Sequence, residues 1–125
     1  MAEGARRILL IEDAPQVAGI LVSKLGREGH KVAWVRGRTA ALEALSTGKF
    51  DLIVLSTYLL PERNAWELLG ELKGKVGAPI FMMLESEEAG LEAQARERGA
   101  AGIILKPFKP TQVAKSVREL FAGAT

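Results

Sequence analysis

Three apolar runs of this chain end in residues able to do chemistry. Ile8-Leu9-Leu10-Ile11 runs into the acidic pair Glu12-Asp13, and Ile103-Ile104-Leu105 runs into Lys106-Pro107-Phe108. Between them, Asp51-Leu52-Ile53-Val54-Leu55 ends in Ser56-Thr57. If these runs are neighbouring parallel strands, the acids, the lysine and the hydroxyls meet at one sheet edge. Open α/β sheets place their sites at that edge. With an aspartate at position 56, the set would hold a divalent cation and accept a phosphoryl group. Ser56 lacks the carboxylate, and a hydroxyl becomes nucleophilic only with a general base beside it. The nearby bases are Glu12 and Asp13, whose oxygens suit a hard cation better.

The elements that must position these residues can be read from the same pattern. Strands are expected at Arg7–Glu12, Lys31–Val35, Leu52–Leu55, Ile80–Leu84 and Gly102–Leu105. The runs around Ile8, Ile53 and Ile103 are almost continuously apolar, as in strands buried on both faces of a parallel sheet. Between the strands, Val17, Ile20, Leu21 and Leu25 share one helical face, as do Leu42 with Leu45, and Leu68, Leu69 and Leu72. A fourth helix, about Glu87 to Arg98, has little large apolar content beyond Leu91, and the last offers Val113, Val117 and Leu120. Pro15 and Pro110 suit first helical turns, where a missing N–H costs nothing. Asn64 with Glu67 three residues on reads as a capped helix start. Gly29 and Gly99 stand where helices should end in a left-handed residue. Five βα alternations imply a doubly wound parallel sheet, and right-handed crossovers place helices on both faces.

The bulk composition narrows the function classes. The hydrophobic fraction of 48% and charged fraction of 26% are ordinary for a globular chain, here read as one domain over 1–125 with an ordered core of about 7–121 and a frayed tail, Ala122–Thr125. The net charge is +2, and Arg36, Arg38 and Lys49 are scattered rather than grouped into a nucleic-acid stripe. No nucleic-acid contact is expected. Cysteine is absent, which excludes disulfides and thiol chemistry. The run Ile8–Ile11 is too short for a signal segment or membrane span, so a cytoplasmic location is expected and no membrane contact. Thr47-Gly48-Lys49 lacks the earlier glycine and the hydroxyl residue of a P-loop and reads as a polar turn. His30, the one histidine, is expected at the surface. Trp34 and Trp66 read as partly exposed packing residues rather than a base-stacking platform.

From Arg7 to about Phe121 the chain resembles a two-component response-regulator receiver domain. The resemblance rests on Ile8-Leu9-Leu10-Ile11-Glu12-Asp13, on Phe50-Asp51-Leu52-Ile53-Val54-Leu55, and on Gly99-Ala100-Ala101-Gly102 leading to Lys106-Pro107-Phe108. It implies a flavodoxin-like, five-stranded sheet of order 2-1-3-4-5 with five helices. It also implies a site in which an acidic pair and an aspartate hold Mg²⁺ and the aspartate takes a phosphoryl group from a histidine kinase. A lysine then pairs with the phosphoryl oxygens. A hydroxyl residue at the end of strand four and an aromatic on strand five carry the switch to the face of helix four, strand five and helix five.

This chain departs from that pattern at several places. Ser56 stands at the phosphoacceptor position, Leu84 at the hydroxyl position and Ile103 at the aromatic position. The loop from Ser56 to Pro61 is about one residue longer, which leaves Thr57 as an alternative occupant of the aspartate position. Asn64-Ala65 follows where the family has a glycine second. Glu12, Asp13, Lys106 and Pro107 are retained. With one carboxylate lost, Mg²⁺ binding is expected to be weak or absent and no cofactor is expected. Lys106 is expected to pair with Asp13 or Glu12, with Ser56 or Thr57 hydrogen-bonding nearby.

These residues lead to a pseudo-receiver: a phosphorylation-independent module that binds a protein partner in signalling, with a weak homodimer as a further option. Its interaction surface is expected on helix four, strand five and helix five, where the run Glu85, Glu87, Glu88 and Glu92, followed by Arg96 and Arg98, supplies the charge pattern. Two other readings stay open. Ser56 or Thr57 is a target for a serine/threonine kinase, although Glu12 and Asp13 would repel the phosphate. Or Ser56 and Lys106 form a nucleophile–base pair, although nearby carboxylates favour the ammonium form of a lysine.

Overall fold

The computed structural model describes residues 6–57 and 65–123, apart from the side chain of Glu87. The strands are β1 (Arg7–Ile11), β2 (Lys31–Val35), β3 (Leu52–Ser56), β4 (Ile80–Leu84) and β5 (Gly102–Leu105). The helices are α1 (Pro15–Arg27), α2 (Gly37–Thr47), α3 (Ala65–Lys75), α4 (Glu92–Glu97) and α5 (Pro110–Gly123). All strands run parallel in the order β2-β1-β3-β4-β5, the expected flavodoxin-like topology.

Side-chain alternation sorts the core into two layers. Leu9, Ile11, Ile53, Leu55, Ile80, Met82 and Leu84 meet Ala41 of α2, the leucines of α3 and Ala95 of α4. Ile8, Leu10, Leu52, Val54, Phe81, Met83 and Ile104 meet α1 and α5 through Leu21, Leu25, Val113 and Val117. β1 from Ile8 onward and all of β3 are buried, as runs covered on both faces should be, whereas the Ile103 run, read the same way, forms the edge strand β5, in which only Ile104 is buried and Leu105 is exposed.

Local signals act where the sequence placed them. Pro15 is the first residue of α1 and Pro110 of α5. Gly29 and Gly99 take φ of 96° and 117° directly after helices, a conformation that favours glycine. The stretch Thr47-Gly48-Lys49, read as a polar turn, is instead the end of α2 at Thr47 followed by Gly48 in extended backbone. Asn64, the loop to Pro61, and Ala124-Thr125 of the tail lie outside the described residues.

Two further expectations need correction. The segment read as a single helix of about Glu87 to Arg98 is a 3₁₀ helix, Ser86–Leu91, followed by a short α4. Among its described residues the first half has no buried side chain to hold an α-turn against the sheet, Gly90 weakens it further, and 3₁₀ turns are common at such helix starts. His30, expected at the surface, is only 9% exposed. The left-handed Gly29 turns the chain back so that the His30 ring packs edge-on against Phe121 of α5, with centroids 5.5 Å apart.

Candidate functional site

The ends of β1, β3, β4 and β5 converge at one edge of the sheet. β1 delivers Glu12 and Asp13, both buried. Their backbone is held from β2: the Glu12 N–H donates to Val35 O at 3.1 Å, and Trp34 Nε1 donates to Glu12 O at 2.6 Å. Arg36 donates from a guanidinium nitrogen to Asp13 O at 2.8 Å. Trp34 is thus a partly exposed packing residue that also fixes the acidic turn.

Lys106 is the hub of the site. Its Nζ donates to Glu12 Oε1 at 2.9 Å, to Glu85 Oε2 at 2.9 Å and to Ser56 Oγ at 3.0 Å. The lysine side chain is 12% exposed, that of Glu12 0% and that of Glu85 30%. The other Glu12 oxygen, Oε2, accepts from Ala14 N at 2.9 Å. Lys106 N donates to Leu84 O at 2.9 Å, and the peptide bond to Pro107 is cis. Beside this hub lies an open cleft of about 420 Å³, lined by Asp13, Arg36, Glu85, Lys106 and the first turn of α1.

Ser56 and Thr57 part ways. Ser56 is fully buried, and its Oγ accepts from Lys106 Nζ. Thr57 donates from Oγ1 to Glu88 Oε1 at 2.5 Å, and its N–H donates to Met83 O at 3.0 Å. Leu84 is fully buried, and Ile103 packs partly buried against the same core layer.

The surface residues also divide. Glu88 turns inward, to Thr57 and to the Glu85 N–H at 2.9 Å. It is therefore not an available surface charge, because the 3₁₀ turn aims it at the sheet edge. Glu92 and Arg96 form an exposed i,i+4 pair at 3.5 Å, and the Arg98 guanidinium lies 5.5 Å from the centre of the Trp66 ring. Sequence reasoning missed Glu85, which it counted in the surface charge run. The available signal was its place directly after Leu84, at the end of a strand.

The Mg²⁺ implied by the resemblance does not fit these residues. Mg²⁺ demands near-ideal octahedral oxygen geometry, and besides its waters it is usually held by one or two carboxylates whose oxygens can turn to it. Here both Glu12 oxygens accept other hydrogen bonds, one of them from an ammonium, and position 56 presents a neutral hydroxyl. Among the described residues, no group of three or more His, Cys, Asp or Glu is arranged to hold a metal.

Residues 8–118 match the response regulator receiver domain. The chain belongs to that family. It is a receiver domain of two-component signalling, a class that works through protein partners such as histidine kinases. The transcriptional activator IrlR of Burkholderia pseudomallei is 28% identical over 114 residues, which are 91% of this chain and 49% of IrlR. The DNA-binding response regulator MtrA of Mycobacterium tuberculosis is 32% identical over 113 residues, 90% of this chain and 49% of MtrA. The chain thus spans about half the length of these curated relatives. Among solved structures, the receiver domain of the response regulator TorR superposes with a TM-score of 0.86 at 23% identity, covering 94% of this chain and 97% of that one. The receiver domain of a histidine kinase from Syntrophus aciditrophicus gives a TM-score of 0.83 at 30% identity, covering 95% and 92%. Among the described residues of this receiver, no helix is long and apolar enough to cross a membrane.

Proposed function

We propose that this receiver domain is a phosphorylation-independent, non-catalytic module that binds a protein partner in a signalling pathway. One observation carries the reading: the position facing Lys106 is a buried serine, and the lysine is already shared by Glu12 and Glu85. A hydroxyl there offers no carboxylate to phosphorylate, and the ammonium that would meet a phosphoryl group has anionic partners of its own. Leu84 and Ile103 point the same way, since aliphatic side chains replace the hydroxyl and aromatic that the resemblance assigns to switching. The interaction surface is proposed on α4, β5 and α5, with Glu92, Arg96 and Arg98 as its charges. A weak homodimer through that face is the alternative partner, and cytoplasmic action without nucleic-acid contact is part of the proposal.

The other readings draw little from the geometry. Ser56 and Thr57 are buried, and Thr57 is bonded to Glu88, so neither offers its hydroxyl to a kinase. A phosphate there would also crowd Glu12, Glu85 and Glu88. As a base, Lys106 would have to give up two carboxylates. The test is incubation with a small phosphodonor and Mg²⁺, followed by intact-mass measurement. No added phosphoryl group is expected; a hydroxylamine-labile one mapped to residues 51–57 would overturn the reading.

A further inference from the structure

We propose that Glu85 is a built-in anion for Lys106, and that with the Glu88–Thr57 bond it clamps the segment from Ser86 to Glu97 in one position. This segment is where a positional lock has most effect. Ala95 is the only buried side chain of α4, so apolar packing holds it weakly against the sheet. Two polar links supply what packing does not. Glu85 Oε2 accepts from Lys106 Nζ at 2.9 Å, which ties the residue before the 3₁₀ turn to the end of β5. Glu88 Oε1 accepts from Thr57 Oγ1 at 2.5 Å, which ties the middle of that turn to the end of β3. The same Glu88 oxygen accepts from Glu85 N, so the two links share a backbone that is itself fixed. Lys106 in turn is anchored by Glu12, buried under the acidic turn.

The clamp deepens the phosphorylation-independent reading and rests on it, because a carboxylate from β4's own end holds Lys106 only where no phosphoryl group claims that ammonium. Its consequence is mechanical. In place of a bond made and broken by chemistry at β3, the α4 side of the domain is set by an ion pair and a hydrogen bond present in the folded chain.

Amide hydrogen exchange of the full chain tests this. Glu85→Ala and Thr57→Val are each expected to speed exchange across residues 86–97 by about tenfold or more, and the double variant further, while β1 and β3 keep their protection. Acceleration of about twofold or less in both single variants would overturn the clamp, as would uniform acceleration of all amides, which would assign these contacts to general stability. The phosphodonor experiment is scored separately. A phosphoryl group on the unmodified chain would remove the phosphorylation-independent reading whatever the exchange result, and unchanged exchange would remove the clamp alone.

Discussion

Lys106 is the residue on which most of the site's energy turns. Replacing it by methionine would leave the fully buried Glu12 carboxylate without its cation. Breaking a buried pair in this way costs roughly 3–5 kcal/mol, and urea denaturation of Lys106→Met should show a loss of that size. Glu85→Gln should cost less, about 1 kcal/mol or below, since Glu85 is partly exposed and its pair is screened by solvent. The same arrangement sets the response to cations. In an amide NMR titration with Mg²⁺, the expected outcome is no saturable shift of residues 12, 13 and 56 at low millimolar concentration. Ser56→Asp should strengthen binding by adding a carboxylate and drawing Lys106 toward it. Saturable binding by the unmodified chain would show that Glu12 leaves Lys106 readily.

At the scale of elements, the strands are over-determined and α4 is not. Gly102 illustrates how closely β5 packs on β4: a Cβ there would stand 2.6 Å from a ring carbon of Phe81. Gly102→Ala should therefore destabilise by about 1–3 kcal/mol through overpacking, measured by thermal or urea unfolding. On the α4 side the charges serve different ends. Because Glu88 holds Thr57, a test of the partner surface should reverse Glu92, Arg96 and Arg98 and leave Glu88 in place. With a purified partner, that set is expected to weaken binding at unchanged thermal stability, whereas Ser56→Ala should not. The opposite pattern would assign partner recognition to the cleft around Ser56.

For the whole molecule, the seam between the ends of α1 and α5 gives stability a pH dependence. His30 packs on Phe121, Arg6 stacks on the same ring at 5.1 Å, and Arg118 pairs with Glu28. Burial lowers the pKa of His30 below its ordinary value; Glu28 opposes that shift and Arg6 adds to it. A histidine with a lowered folded-state pKa takes up its proton more readily in the unfolded chain. The stability tied to neutral His30 is thus complete above about pH 6.5 and is lost as pH falls below that value. The midpoint of thermal unfolding should decline across that range, and His30→Leu should remove this part of the slope. An identical decline in the variant would place the effect in other groups.

The sequence by itself determined the doubly wound parallel sheet and the edge at which Glu12, Lys106 and Ser56 assemble, and its resemblance to receiver domains implied the strand order. Apolar runs on both faces of a strand, prolines at helix starts and glycines at helix ends are local signals, and parallel strands joined by right-handed crossovers leave few arrangements. It also showed that position 56 lacks a carboxylate, since that is a matter of residue type. Tertiary structure decided where the side chains beyond the strand ends point. Ser56 was the first candidate for the cleft and Thr57 its alternative; packing turned Ser56 toward Lys106, 50 residues away, and Thr57 toward Glu88, 31 residues away. Glu85 read as a surface charge and became the lysine's second anion. Glu88 read the same way and became an internal bond, and His30 went from surface to seam. In each case the deciding partner lies on another element. A side chain's direction past a strand or helix end follows from one or two backbone angles and from the groups that happen to meet it, which hydrophobic periodicity does not record.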